Sequence, residues 1–218
     1  MNESSGLRER KKRRTHETIS DTALALFDEH GFDNVSITTV ADAAEVSRRT
    51  LFSYFPTKED LVVHRLSDHE TESGRVVRGR PAGQSPLAAL RAHYLDGLAR
   101  RDPVTGLTDL VPALTLYRLV LSTPSLAARM LEFRSNGERA LAEALRDTAD
   151  LPDLTARLAS AQIMAVVSTL SLGNVQRVID GTCADDLHPE AVEAAEQGFA
   201  LLADGLATAL GVVAAEHG

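Results

Sequence analysis

Between residues 36 and 60 the chain reads SITTVADAAEVSRRTLFSYFPTKED, and its apolar positions lay out two short elements. Ile37, Val40, Ala41 and Ala44 recur at i, i+3, i+4 and i+7, the spacing of one buried helix face. Ala44-Glu45-Val46 fits a tight turn. Ser47 then caps a second helix, its hydroxyl accepting from an orphan N–H at the helix start. Leu51 and Phe55 give that helix an inward side, and Pro56 stops it. Arg48, Arg49, Phe52 and Ser53 are left pointing outward. Two short helices crossing at a three-residue turn, with arginines opening the second, fit a DNA-binding helix-turn-helix.

Around this unit the pattern is helical throughout. A first helix is predicted from Arg10 or Thr15 to His30, with Ile19, Ala23, Leu26 and Phe27 inward and Gly31 as its stop. Phe32 and Val35 plug the small core beside it. Thr57 caps a fourth helix with Asp60 closing the box; Leu61, Val62 and Leu66 carry it unbroken to about Arg78, as a rod. GRPAGQSP (Gly79 to Pro86) is a composition break and a linker. Helices follow from Pro86 to Arg101, Thr108 to Ser122, Leu126 to Ala149 and Leu154 to Asp180. The stretch Cys183 to His188 reads as a loop, and Pro189 opens a last helix to about Val213. Strand alternation and internal repeats are not evident. The last two helices are apolar on more than one face (Ala165, Val166, Val167, Leu170, Leu172; Phe199, Leu201, Leu202, Leu206, Leu210), so each needs cover on two sides. A monomer core or a twin subunit would supply it.

Composition changes this picture little. The 218 residues are 44% hydrophobic and 25% charged, ordinary for a globular chain. No apolar run is expected to approach a membrane span, and no apolar segment follows the basic N-terminus as a secretory signal would require. The expected compartment is the cytoplasm. The lone Cys183 excludes an intrachain disulfide, and zinc-ligand spacing is absent. His64 and His69 stand five apart, too poorly aligned for a metal pair, and read as a solvated polar face. Charge matters more. A net −8 is unusual for a DNA binder, but Arg8 to Arg14 holds six basic residues, and Arg48, Arg49 and Lys58 add a local positive footprint. The basic run, Arg14 included, suits an arm along the DNA backbone or in a minor groove; a solvated tail is the plain alternative.

Several features in fixed order, spanning residues 12 to 62, resemble the TetR-like transcriptional regulators. They are LALFDEHGF (Leu24 to Phe32), SITTVADAAEVS (Ser36 to Ser47), LFSYF (Leu51 to Phe55) and TKEDL from Thr57. The resemblance implies an all-α fold: an N-terminal three-helix DNA-binding domain over 8–62, then a larger helical effector-binding and dimerisation domain over 63–218. It implies that Thr38 or Thr39 meets a phosphate, that Ser47, Arg48, Arg49, Thr50 and Ser53 face bases or backbone, and that Tyr54 and Lys58 contact phosphate. Arginine's fork can bond guanine N7 and O6 together. Lys58 also sits at a helix start whose free N–H groups favour anions; an exposed surface lysine is the plain alternative. It further implies that the last two helices pair with those of a twin subunit in a four-helix bundle. Two positions depart from the family. Glycine is common where Glu45 stands, in a turn that can need positive φ, and a non-glycine there costs about 1–2 kcal/mol. Tyrosine is common where Phe52 stands, so one phosphate-directed hydroxyl is missing.

Enzyme motifs are missing: neither a phosphate-cradling glycine loop, nor G-x-S-x-G, nor HExxH is present. Cofactors and metals are not implied. A small-molecule pocket between helices of the second domain is expected, with Tyr94, Tyr117, Arg118, Gln162 and Thr169 as its candidate polar groups. His93 and Asn174 interrupt apolar stretches in the same way. The expectation is a homodimeric, ligand-responsive regulator that binds a double-stranded DNA operator as a repressor and is released by an unidentified small-molecule effector. Two half-sites would lie about 34 Å apart. An activator, an effector-free architectural DNA binder, or a helical carrier or enzyme with a vestigial DNA-binding head are the alternatives.

Overall fold

A computed structural model describes residues 3–205, without the side chains of 3–9, 13, 67 and 68. The predicted end of the last helix at Val213, with Leu206 and Leu210, lies outside the described residues. Among the described residues all regular structure is helical: α1 (Glu3–His30), α2 (Ile37–Ala43), α3 (Arg48–Tyr54), α4 (Asp60–Val63), α5 (Glu72–Gly79), α6 (Pro86–Ala99), α7 (Val111–Ser122), α8 (Pro124–Ala149), α9 (Asp153–Ile179) and α10 (Ala184–Asp204). Short 3-10 turns occupy His64–His69 and Pro103–Thr105. The basic run expected as an arm is part of α1, with Lys11, Lys12 and Arg14 exposed on the helix.

The chain divides into two compact units. The first holds the chain through Ser67 together with Thr115–Leu131; the second holds Asp68–Leu114 and the chain from Glu132. In the first, Ile19, Ala23 and Phe27 of α1 meet Val40 and Ala41 of α2, Leu51 and Phe55 at α3, and Leu61 and Val62 of α4. Leu116, Leu119, Val120 and Leu126, far along the chain, join the same core. Arg129 donates to Asp60 through Nε (3.1 Å) and Nη2 (2.9 Å), tying α8's first turns to the start of α4.

The second unit packs Leu90, Tyr94 and Leu98 of α6 against Leu141 and Leu145 of α8, Ile163 and Val178 of α9, and Leu187, Ala195 and Phe199 of α10. Two glycines let backbones meet. A β-carbon on Gly74 would lie 2.8 Å from the Ala140 carbonyl oxygen, and one on Gly106 only 2.1 Å from that of Ser171. Gly106 also has φ +73°, so any side chain there is excluded twice.

The predicted rod from Thr57 to Arg78 is broken. It stops at Val63, continues as a 3-10 turn to His69, and resumes at Glu72. His69 does not sit on a solvated face: its Nδ1 lies 2.8 Å from Glu72 Oε2, while Glu72 Oε1 is 3.2 Å from His93 Nε2 of α6. These contacts hold Glu72's carboxyl far below the ordinary carboxylate range, His69's hydrogen bond first and His93's second. His64 is also enclosed, its ring edge-on to His16 at 3.8 Å between centroids. The stretch expected as a loop at Cys183 to His188 is the opening of α10, with Cys183 as its N-cap and Pro189 inside the helix. A distant side chain makes this possible. Asp109 accepts from the Ala184 N–H at 3.1 and 3.2 Å, satisfying an orphan donor from outside the helix.

By length and composition alone α9 is long and apolar enough to cross a membrane, contrary to the expectation that no run approaches this. Only 22% of its most apolar stretch is buried within the chain, and Leu154, Leu158 and Leu172 are exposed, as is Leu201 of α10.

Candidate nucleic-acid interface

The two short helices begin alike. Ser36 Oγ accepts from Thr39 N (3.0 Å) and pairs with Thr39 Oγ1 (2.8 Å); Ser47 Oγ does the same with Thr50 N (3.0 Å) and Thr50 Oγ1 (2.7 Å). Each serine satisfies a donor that would otherwise be orphaned, which fixes where the helix starts. Ser36 and Ser47 both hold the extended backbone expected of an N-cap.

Between them α2 ends in a Schellman motif. Val46 N donates to Ala41 O (2.9 Å) and Glu45 N to Asp42 O (3.1 Å). That motif needs a left-handed residue, and Glu45 supplies it at φ 54°. The positive φ suspected from the sequence is therefore present, carried by a glutamate. The turn keeps its geometry and stores the strain.

The outer surface of α3 is built from what this frame leaves over. Arg48 and Arg49 occupy its first turn, are exposed, and are unpaired among the described residues. Thr38, Thr39, Ser47 and Ser53 are exposed, and Thr50 is half-buried under its cap. Ser53 Oγ donates back to Thr50 O at 2.6 Å, leaving its oxygen lone pairs outward. Phe52 is 43% exposed on the same helix. Tyr54 is half-buried, with the His16 ring 5.8 Å away, and His16 stacks on Phe55 at 4.4 Å. Arg14 is exposed one turn earlier on α1 than Thr18, whose hydroxyl donates to its carbonyl (2.9 Å).

Lys58 differs from these. Thr57 and Asp60 do form the reciprocal box before α4, at 3.0 and 3.2 Å. Lys58 itself is half-buried and turned inward: its Nζ donates to Phe32 O and sits over the Phe32 ring at 4.3 Å and the Phe27 ring at 5.5 Å. Burial pushes its pKa down, and the Asp33 and Glu59 carboxylates act against that.

The five candidate ligand groups fall in both units. Tyr117 is half-buried at the core of the first unit and Arg118 is exposed beside it. In the second unit Tyr94 is buried, its hydroxyl 3.3 Å from Ser171 Oγ, and burial raises its pKa to about 12. Thr169 is exposed and donates to Ala165 O (2.9 Å). Gln162 lines an apolar groove of about 530 Å³ with Leu87, Leu145, Leu151, Leu158 and Leu202. Asn174, which interrupts an apolar stretch of α9, is a buried strut whose Nδ2 donates to Thr105 O (2.9 Å). In the His69–Glu72–His93 cluster, His69 and Glu72 stand three apart, but His93 comes from α6 and no motif spacing betrays it.

The family model of bacterial regulatory proteins of the tetR family matches residues 19–64. The HTH-type transcriptional regulator TcmR of Streptomyces glaucescens is 34% identical over 68% of this chain and 67% of its own length. The HTH-type transcriptional repressor KstR of Rhodococcus jostii is 31% identical over 79% of this chain and 74% of its own. Among solved structures, FadR of Thermus thermophilus, a repressor in complex with lauroyl-CoA, superimposes with TM-score 0.53 at 23% identity, covering 88% of this chain and 94% of that one.

Proposed function

Because this chain belongs to the tetR family of bacterial regulatory proteins, we propose that it works as a homodimeric repressor of transcription in the cytoplasm, released from its operator by a small molecule. One observation carries the DNA-reading part: a helix of seven residues, capped by Ser47, opens with Arg48 and Arg49 exposed and unpaired among the described residues. The first turn of a recognition helix is where helix-turn-helix docking puts base contacts. Each arginine can bond a guanine bidentately, worth about 1–3 kcal/mol of discrimination. Thr38, Thr39, Ser47, Thr50, Ser53, Tyr54 and Arg14 are the proposed phosphate and edge contacts around them.

The dimer rests on α9 and α10. An apolar helix so little covered by its own chain needs another apolar surface, and a second copy offers the same pair of helices in a two-fold bundle. A membrane would cover α9 as well, but the family assignment favours the twin helices. For the effector, FadR sets a precedent of an acyl-CoA-bound repressor with this fold. In this chain the effector is assigned to the second unit, with the apolar groove beside Gln162 as one place for an apolar group.

Fluorescence anisotropy with the duplex upstream of the protein's own gene, against a scrambled duplex, tests the reading. Wild type is expected to prefer the former, and Arg48→Ala with Arg49→Ala to remove that preference. Sequence-selective binding retained by the double variant would refute the assignment of α3 as the reading helix.

A further inference from the structure

The end of α3 rests on a group of rings drawn from three segments of the first unit. With only seven residues α3 cannot hold itself, so its ends are fixed by what they touch. Ser47 fixes the start. At the other end Phe55 is 1% exposed, and His16 of α1 stacks on its ring with centroids 4.4 Å apart and planes 19° from parallel. His64, which follows α4, meets the same Phe55 ring at 5.5 Å and stands edge-on to His16 at 3.8 Å. Tyr54, the last residue of α3, has the His16 ring 5.8 Å away. We propose that His16 is a positioning residue that holds Tyr54 and Phe55 at the end of the recognition helix, and that its contact with His64 makes operator binding weaken on acidification. This rests on the DNA-binding reading above.

Both imidazoles are half-buried. One proton on the pair is tolerated, because a cation over an aromatic face is attracted by it. A second would set two like charges about 4 Å apart, and such pairs resist double ionisation. The second proton therefore enters as the rings separate, which takes the support from Phe55 and lets Tyr54 move. The stacked form binds fewer protons than the open one, so its advantage is full above the ordinary imidazole range, near about pH 6.5, and is lost as pH falls below it. The neighbouring elements bring further charges. On α1, Arg14 and Glu17 are exposed on either side of His16. After α4, Arg65 follows His64 and donates to Ser20 Oγ (3.3 Å) and to Asp21 Oδ1, while Asp60 accepts from Arg129 of α8. The Asp21 and Asp60 carboxylates are thus engaged by arginines, and Tyr54 is the titratable group at the end of α3. Net charge acts the other way: acidification makes a chain of net −8 less negative, which favours DNA.

Full-length His16→Phe keeps a ring on Phe55 and takes no proton. Between pH 7.5 and pH 5.5 the affinity of wild type for the upstream duplex is expected to fall about three- to tenfold relative to this variant. One excluded proton allows at most about tenfold per pH unit. Wild type should also lose about 2–4 °C of melting temperature relative to the variant over that range. Parallel pH profiles of binding overturn the proposal, and so does a wild type that gains affinity over the variant on acidification. His64→Phe leaves one titrating ring and should flatten the profile too; a profile as steep as that of wild type overturns the pairing. His16→Ala removes the stack and is expected to bind several-fold more weakly than His16→Phe at pH 7.5; equal binding overturns the positioning role. In wild type the His16 and His64 resonances are expected to titrate in two separate steps, and a single shared step overturns the resistance to a second proton. If wild type shows no preference between duplexes at any pH, the DNA-binding reading fails, while melting and resonances still decide how the pair takes up protons.

Discussion

Glycine in place of Glu45 should stabilise the protein, although it deletes a side chain from a turn. Glu45 holds φ 54°, a left-handed conformation that costs an L-residue about 1–2 kcal/mol. Its side chain is exposed, and its backbone N–H bonds Asp42 O at 3.1 Å, a bond that glycine keeps. Val46 N to Ala41 O, at 2.9 Å, is likewise untouched. Against the relieved strain stands glycine's greater freedom in the unfolded chain, about 0.4–1 kcal/mol. The net gain is about 0.5–1 kcal/mol, which for a protein of this size raises the melting temperature by about 1–4 °C. Far-UV circular dichroism on heating measures it. Glu45→Ala is the control: it removes the carboxylate but keeps the β-carbon, and so should melt close to wild type. Equal gains from alanine and glycine would assign the effect to charge, and no gain from glycine would refute the strain argument.

Two further outcomes follow from long-range contacts. Asp109→Ala removes the acceptor for Ala184 N–H and should cost about 0.5–2 kcal/mol, as loss of a helix cap does; amide exchange should quicken at the start of α10, and unchanged exchange there would refute the capping role. Glu72 is held below its ordinary value of 4.5 by His69 and then His93, so its contribution is present above about pH 4.5 and is lost as pH falls through its native value. The melting difference between wild type and Glu72→Gln should therefore narrow as pH drops below that point, and a difference independent of pH would count against the ionised, doubly bonded carboxylate.

The reading head was legible because its determinants are local. Ser36 with Thr39, Ser47 with Thr50, and Thr57 with Asp60 are each three apart, the reach of one helical turn, and their caps form as the spacing implies. The inward stripe of Ile19, Ala23 and Phe27, and the pair Leu51 and Phe55, follow helical periodicity and are buried as it requires. The positive φ at Glu45 matches what the tight turn Ala44-Glu45-Val46 can need.

What tertiary structure alone decided involves partners distant in sequence. The rod after Thr57 gives way to a 3-10 turn between Val63 and Glu72, and where it resumes Glu72 meets His93 of α6, a contact that no periodicity encodes. Cys183 to His188 coils into α10 despite Pro189 because Asp109 caps it from far upstream. Lys58 reads as an outward cation until the Phe32 carbonyl and two aromatic rings are beside it. Tyr94, Tyr117, Arg118, Gln162 and Thr169 share only polarity within apolar helices, and polarity does not say which core or surface a helix face meets. Local hydrogen bonds and helical period can be read along one chain; the satisfaction of a buried charge or an orphan N–H depends on what folding brings next to it.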